Sequence, residues 1–521
     1  MKYLLAIPVL LVLHILSFAQ IKIESQSPVF ENASLNIQKV LLMKNGNTFY
    51  LGLSKKVITT RIYGPDHTLT TTQQLPASIG KQSAFKVIGF YDMNGDAIAL
   101  VSTIVNHQIV LKRLVFNGEN GTLKEEATIG ELEKISYFKQ FGMAFNVPEP
   151  DFFSEAMPDG SGYAVVTMNS FQPDRNKRVI ITVYGPDNKQ LSCASFKLPD
   201  EKYKYTVYLG LAPFEKDKLG VLAYGYNTQA SGGKECELLL GTLTIGDTLI
   251  TITPIDTANK PANRSLARYN PASKKMMLLE VSNKEGHSAT IIDPIKKTAS
   301  RKLLASRKEL EAGLPFLSLG GRKQPTIPQN IFANEDGTFT VVYEDITIIQ
   351  NEKSAGSTNM EDYTVSVLSS DKIDELQHYT IPRYQRRKDL QRPNCFSNAY
   401  QYFELAYKQP SSLEAFNFLS ANGNNYLFLN EEADNIKRNQ EGTKPHVVNT
   451  LKKSDAFYYK LNGTNKVPEA DYLFNKPAKD ENHHLGLFKA FDYSALHKTY
   501  VVLKSEGTRK KSSWKIVWMK L

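Results

Sequence analysis

Short runs of consecutive apolar residues, each bounded by polar turn signals, recur along the whole chain. The run is legible eight times, at 48–51 (TFYL), 97–101 (AIALV), 163–166 (YAVV), 219–222 (LGVL), 276–279 (MMLL), 339–343 (FTVVY), 426–429 (YLFL) and 500–503 (YVVL). Apolar residues at successive rather than alternating positions mark a strand buried on both faces. Several runs follow an Asn-Gly or Asp-Gly pair: Asn45-Gly46, Asn94-Gly95, Asp159-Gly160, Asp336-Gly337 and Asn422-Gly423. These pairs supply the positive φ angles of tight hairpins, so each predicts a further strand before it. Residues 85–90 and 416–419 fit that role.

A third strand follows each run. In two copies it ends in the same four residues, Tyr63-Gly64-Pro65-Asp66 and Tyr184-Gly185-Pro186-Asp187. Equivalent turns stand at Asn117-Gly118, Gly246-Asp247, Asp293-Pro294, Ser370-Asp371 and Asn462-Gly463. The unit therefore reads strand, tight turn, strand, polar loop, strand, turn, strand. Its mean spacing is ~65 residues, longer than the ~40–50 of compact blade repeats. The pattern predicts an all-β chain, a β-propeller of about seven to eight four-stranded blades spanning residues 20–521. Tandem β-sandwich domains are the alternative.

Residues 514–521 read as the third strand of a last unit that is one strand short. The extended N-terminal pieces at 21–23 and 28–30 are expected to complete it and close the ring. Trp514 and Trp518, four apart on a strand, share a face and are expected to pack that blade. Residues 131–139 and 302–314 carry apolar positions at helical spacing and predict short helices between units.

A meander sends both tight turns of each unit to one end of the strands. The long segments then belong to the other end: loops 169–177, 227–235, 350–362, 430–445 and 505–513, and connectors 253–264, 306–330, 382–398 and 474–484. Binding surfaces collect on loops held by a rigid scaffold, so that face is the candidate. Two stretches on it stand out. Arg383, Tyr384, Gln385, Arg386 and Arg387 form the densest basic patch, and guanidiniums beside a tyrosine suit carboxylates, sulfates or phosphates. The simpler reading of that patch is a solvated connector with surface ion pairs. Asn430, Glu431 and Asn435, with Glu344 at the end of the 339–343 strand, place side-chain oxygens on the same face. They lack the spacing of a calcium loop, and no metal is expected there.

Residues 331 to the C-terminus resemble uncharacterised secreted β-repeat proteins of Bacteroidota. The resemblance rests on residues 337–344, on Ile381-Pro382 with Gln385, and on Leu429-Asn430-Glu431 with Asn435. It implies an exported, propeller-like protein and no particular reaction.

The chemistry narrows the classes further. Residues 1–19 have a Lys2 n-region, an apolar core and a small-x-small end at Ser17-Phe18-Ala19, the pattern of a secretory signal peptide. Export to the periplasm, cell surface or medium is therefore expected. No later run is long and apolar enough to span a bilayer. Formal charge is +10, but 63 basic and 53 acidic residues are interspersed, so nucleic acid is not an expected partner. Three cysteines, Cys193, Cys236 and Cys395, are too few and too scattered for a disulfide scaffold or a CxxC zinc site, and are expected to be buried. His483-His484 is the only histidine pair, and adjacent residues on a strand point to opposite sides, so it is not expected to hold a metal.

Nucleophile-elbow, zincin, Walker and dinucleotide motifs are all missing, and no cofactor is expected. Carboxylate pairs such as Asp151/Glu155 and Glu361/Asp362 have no spacing that singles them out. The leading expectation is a monomeric, non-enzymatic binding module for an unknown protein or glycan. The alternatives are a carbohydrate-active hydrolase or lyase, with carboxylates and the 383–387 cluster over the channel, and a polyanion binder.

Overall fold

The computed structural model describes residues 21–31, 37–54, 56–76, 85–106, 108–133, 150–198, 202–227, 236–255, 264–282, 286–306, 321–349, 357–387, 416–463, 467–477, 483–508 and 511–521. Within them the backbone forms eight antiparallel sheets, each a meander of consecutive strands except the last. The chain first lays down β1 (Lys22–Gln26) and β2 (Phe30–Glu31). Blade 1 is β3 (Ile37–Leu42), β4 (Thr48–Leu53), β5 (Val57–Tyr63) and β6 (Leu69–Pro76). Blade 2 is β7 (Phe85–Met93), β8 (Asp96–Val105), β9 (Gln108–Asn117) and β10 (Leu123–Glu131). Blade 3 is β11 (Asp151–Ala156), β12 (Tyr163–Met168), β13 (Val179–Tyr184) and β14 (Gln190–Ser195). Blade 4 is β15 (Tyr205–Glu215), β16 (Lys218–Tyr226), β17 (Cys236–Thr244) and β18 (Thr251–Ile255).

Blade 5 is β19 (Arg264–Asn270), β20 (Lys275–Ser282), β21 (Gly286–Asp293) and β22 (Thr298–Ser306). Blade 6 is β23 (Gly321–Ala333), β24 (Phe339–Ile349), β25 (Ser357–Leu368) and β26 (Glu375–Ile381), with a short β27 (Gln385–Arg387) added on β25. Blade 7 is β28 (Asn417–Ala421), β29 (Asn424–Glu432), β30 (Ser454–Lys460) and β31 (Ala470–Tyr472), with helix α1 (Ala433–Gln440) between β29 and β30. Blade 8 is β32 (His484–Ser494), β33 (Thr499–Thr508) and β34 (Lys511–Lys520), completed by β1 and β2, which both pair with β34. The expected closure of the ring is observed.

All eight apolar runs fall on second strands, and the packing explains their composition. In β8, Ala97, Ala99 and Val101 pack towards blade 1, while Ile98 and Leu100 pack towards blade 3. The core is accordingly divided into eight layers, one at each junction between neighbouring blades, including blade 8 against blade 1. Each large apolar side chain fully buried there contributes about 1.5–3 kcal/mol. First strands sit side by side around the inside of the ring, with β3 beside β32 and β7, and β19 beside β15 and β23. The fold is an eight-bladed β-propeller, and the tandem sandwich is excluded by this single closed cycle of layers.

The turns separate into two chemistries. Asn94-Gly95 and Asn422-Gly423 have positive φ at both residues, as a two-residue primed hairpin requires. At Asn45-Gly46, Asp159-Gly160 and Asp336-Gly337 only the glycine is positive, and the loop is longer, closed by bonds such as Met43 N to Asn47 O at 2.8 Å. The repeated Tyr-Gly-Pro-Asp folds identically twice. Asp66 accepts from Thr68 N and Asp187 from Lys189 N, and the next residues, His67 and Asn188, take φ of 64° and 65°.

Four expectations are corrected. Lys302 to Ser306 belong to strand β22, paired with β21, not to a helix, and 307–314 lie outside the described residues. Glu131 ends β10, and 134–139 lie outside the described residues. Of the expected loops at 350–362 and 505–513, residues 357–362, 505–508 and 511–513 are strand, because β24–β25 and β33–β34 continue pairing to Ile349↔Ser357 and Thr508↔Lys511, and 350–356 and 509–510 lie outside the described residues. Loop 430–445 contains α1. Cys193 is exposed rather than buried, since it points outward from the edge strand β14 while Ser192 and Ala194 point in; Cys236 is half-buried, and both are free. Residues 1–20 and Cys395 lie outside the described residues.

Candidate functional site

Blade 6 rises above its neighbours because its strands do not stop at the usual length. β23, β24 and β25 span 13, 11 and 12 residues. β23 and β25 each carry an extra residue at one level, between Gln324 and Ile327 and between Met360 and Tyr363, against the regular step from Glu344 to Ile346 in β24. Bulges bend strands and re-aim side chains, so this level divides the blade from an upper sheet. β26 leaves β25 at that level, where Ile381 pairs with Tyr363. Pro382 has no N–H to continue the ladder. The Arg383 N–H instead donates to the Asp362 carboxylate at 3.1 Å, and pairing resumes with Gln385 opposite Met360 as β27.

The step buries Arg383. Its guanidinium donates to Glu344 Oε1 at 3.3 Å and lies 4.4 Å from the centre of the Tyr363 ring. Glu431, on β29 of blade 7, is fully buried. Its Oε1 accepts from Asn435 Nδ2 at 3.0 Å and from Glu432 N at 2.9 Å, while its Oε2 has no hydrogen-bond partner. Burial pushes the Glu431 carboxyl above its ordinary range, and the positive charge of Arg383 opposes that shift.

The asparagines are also inside. Asn430 imitates a strand residue: its amide donates to Gly486 O at 2.9 Å and accepts from Gly486 N at 2.8 Å, tying blade 7 to blade 8. Asn435 does the same with the backbone of His446, holding the loop after α1. Asn439, one helical turn on, donates to Pro382 O at 2.6 Å. That loop then docks on β27 through Val448 N to Tyr384 O at 2.8 Å and Arg386 N to Val448 O at 3.0 Å.

Of the nine sequence-predicted residues, Glu344, Arg383, Gln385, Asn430, Glu431 and Asn435 are thus buried. They are brought together as the joint between blades 6 and 7, not as a solvated connector. Tyr384 is half-buried and Arg386 exposed; for Arg387 only the backbone, in β27, is described. Tyr384 Oη accepts from Asn359 Nδ2 at 3.1 Å, and Arg386 Nε donates to Asn359 Oδ1 at 3.1 Å. The Arg386 guanidinium lies 5.9 Å, and the Lys444 ammonium 5.2 Å, from the centre of the Tyr384 ring. Lys437 is exposed nearby on α1, and Arg438 Nε donates to Lys444 O at 2.7 Å. Two cations gathered over one aromatic ring present positive charge and donors that an anionic group can accept from.

Sequence reasoning missed Asn359, Tyr363, Asn439 and Lys444, and it passed over Asp362 as one of a carboxylate pair with no distinguishing spacing. Only Asn439 left a signal, its i, i+4 spacing from Asn435 in a segment read as loop. Among the described residues no group of three His, Cys, Asp or Glu is placed to hold a metal ion. His483 and His484 both meet Asp455, through Nδ1 at 3.1 Å and the backbone N at 2.7 Å.

No known protein family and no curated protein matches the chain in sequence. Among solved structures, the chain is similar to polysaccharide lyase Uly1, with 10% identity over 85% of this chain and 91% of that one, at a TM-score of 0.40. It is also similar to prolyl oligopeptidase B from Galerina marginata, bound to a 35mer hydrolysis and macrocyclization substrate, with 9% identity, 91% and 55% coverage and a TM-score of 0.40. A prolyl endopeptidase matches at 9% identity, 79% and 54% coverage and a TM-score of 0.31. The chain spans about half the length of these two peptidases. The propeller assignment stands on the chain's own ladders, and no activity is taken from these proteins.

Proposed function

We propose that this chain is an exported, non-enzymatic binding module whose platform on blades 6 and 7 receives carboxylate or sulfate groups of an extracellular glycan. The observation that carries this reading is Tyr384 flanked by Arg386 and Lys444, on a sheet extension locked by backbone bonds to Val448. Rigid support matters because a loop ordered only on binding would lose about 0.5–1.5 kcal/mol for each side chain it immobilises. Here that ordering is already done by the fold. The buried joint beneath supplies the rigidity and takes no direct part in contact.

Burial of Arg383 beneath Tyr363 and Glu344 counts against the enzymatic alternative in which that guanidinium clamps a substrate. The test is immobilised dextran sulfate against uncharged dextran, with the mature chain in solution. Binding is expected to dextran sulfate alone, to fall with salt, and to weaken by about tenfold in the Arg386→Ala, Lys444→Ala double variant. Equal retention on both polymers overturns the reading.

A further inference from the structure

The joint between blades 6 and 7 buries oxygen atoms that its own donors do not satisfy. Glu431 Oε2, Gln385 Oε1 and Asn439 Oδ1 are all inside and have no hydrogen-bond partner. Their residues are 0%, 3% and 6% exposed. Buried polar groups are nearly always paired, so three orphans in one joint call for an occupant.

The three come from segments that short contacts hold together. Leu427, Leu429 and Glu431 alternate along β29, and the two leucines pack with Val342, Tyr363 and Ile381 of blade 6. Glu431 therefore faces blade 6 as they do. Gln385, on β27, turns its Nε2 to Asn430 O, the carbonyl next to Glu431, at 3.5 Å. Asn435 holds Glu431 Oε1 at 3.0 Å, and Asn439, one turn further along α1, donates its Nδ2 to Pro382 O at 2.6 Å. A backbone carbonyl accepts only from the nitrogen of an amide, so these bonds fix which end of Gln385 and of Asn439 is left over. In both it is the oxygen.

The chemistry of the set selects the occupant. A water molecule donates two hydrogen bonds and leaves one of three acceptors unmet. A cation meets all three at once. One carboxylate and two amide carbonyls are hard oxygens, the ligands calcium takes together with water, whereas zinc favours Cys and His. Arg383 does not fill this role, because its guanidinium is engaged with Glu344 at 3.3 Å.

We propose that the joint binds one calcium ion through Glu431 Oε2, Gln385 Oε1 and Asn439 Oδ1. The ion ties β27 to blade 7 and to α1. Its ligands stand at positions 385, 431 and 439, which is why no calcium-loop spacing shows in the sequence. The site stands apart from the glycan reading of the Tyr384 platform and does not depend on it.

The experiment is equilibrium dialysis of the full chain, stripped with EDTA, against radioactive calcium in about 0.1 M NaCl, which screens surface carboxylates. One ion per chain is expected, with a Kd on the order of 10⁻⁴–10⁻³ M, as in extracellular calcium modules. Glu431→Gln keeps the shape and removes the charge, and is expected to lose at least about tenfold in affinity. Gln385→Glu adds a second carboxylate and is expected to gain about tenfold. The Gln385→Glu chain is also expected to melt below wild type in EDTA and to recover on adding calcium, a rescue that a bound water or a purely structural glutamine does not give. No calcium bound at roughly 10 mM, or an affinity that neither substitution changes, overturns the proposal.

Discussion

Arg383 and Glu344 form an ion pair at 3.3 Å with side chains only 2% and 8% exposed. A pair so far from water is costly to form and more costly to break, because removing one member strands the other. Arg383→Met removes the cation paired with buried Glu344 and opposing the burial of Glu431, so it is expected to destabilise the fold by about 3–5 kcal/mol in urea unfolding. Adding Glu344→Gln to that variant is expected to restore part of the loss. If the double variant is no more stable than the single one, the pair is not coupled as described.

Arg386 is the contrasting neighbour. It is exposed, with an exposed bond to Tyr384 and a part-buried one to Asn359. Arg386→Ala is expected to change stability by less than about 0.5 kcal/mol. The same variant is expected to weaken dextran sulfate binding. Parallel thermal melts and retention measurements on Arg383→Met and Arg386→Ala are expected to give opposite patterns.

Two buried groups set opposing pH dependences. Burial pushes Asp492 up to about 7 from 3.8, against the N–H bonds it accepts from Leu42 and Tyr493. The folded chain holds that proton more tightly than the unfolded one, so the contribution is full below about pH 4 and is lost as pH rises through 7. Burial depresses His287, stacked on Tyr343, from 6.5 to about 4. Its contribution is full above about pH 6.5 and is lost as pH falls through 4. Between pH 4 and 7 the two offset each other. Asp492→Asn is therefore expected to steepen the loss of melting temperature on acidification across that range, and His287→Gln to flatten it.

The ring closes at Trp518. Its indole N–H donates to Thr48 Oγ1 at 2.8 Å across 470 residues, and its ring packs edge-on to Tyr63 and flat on His67. Trp518→Ala is expected to cost about 3–5 kcal/mol, as for other buried aromatic truncations. Trp518→Phe keeps most of the packing and is expected to cost less. Chemical denaturation that leaves Trp518→Ala at wild-type stability is the outcome that contradicts this account of closure.

The blades were legible in the chain because their cause is local. Each second strand is flanked by two neighbours, so 97–101 is apolar at every position and 339–343 at all but Thr340, whose hydroxyl is satisfied by Asn334. The turn chemistry at Tyr63-Gly64-Pro65-Asp66 and its copy depends on four or five adjacent residues, and it folded as read. Part of the site was legible in composition only. The 383–387 patch was visible as charge, but not which of its members would be buried.

The sequence by itself determined the four-stranded unit and its order, the positions of the tight turns and the need for N-terminal strands to complete the last blade, and it bounded the blades at about seven to eight. Backbone sterics and apolar burial act over a few residues, and those are written in order along the chain. Tertiary structure alone decided that Arg383 turns inward to Glu344 while Arg386 turns out beside Tyr384, three positions along the same connector. The level at which β23 and β25 both bulge against β24 makes that choice, and it arises from pairing between strands.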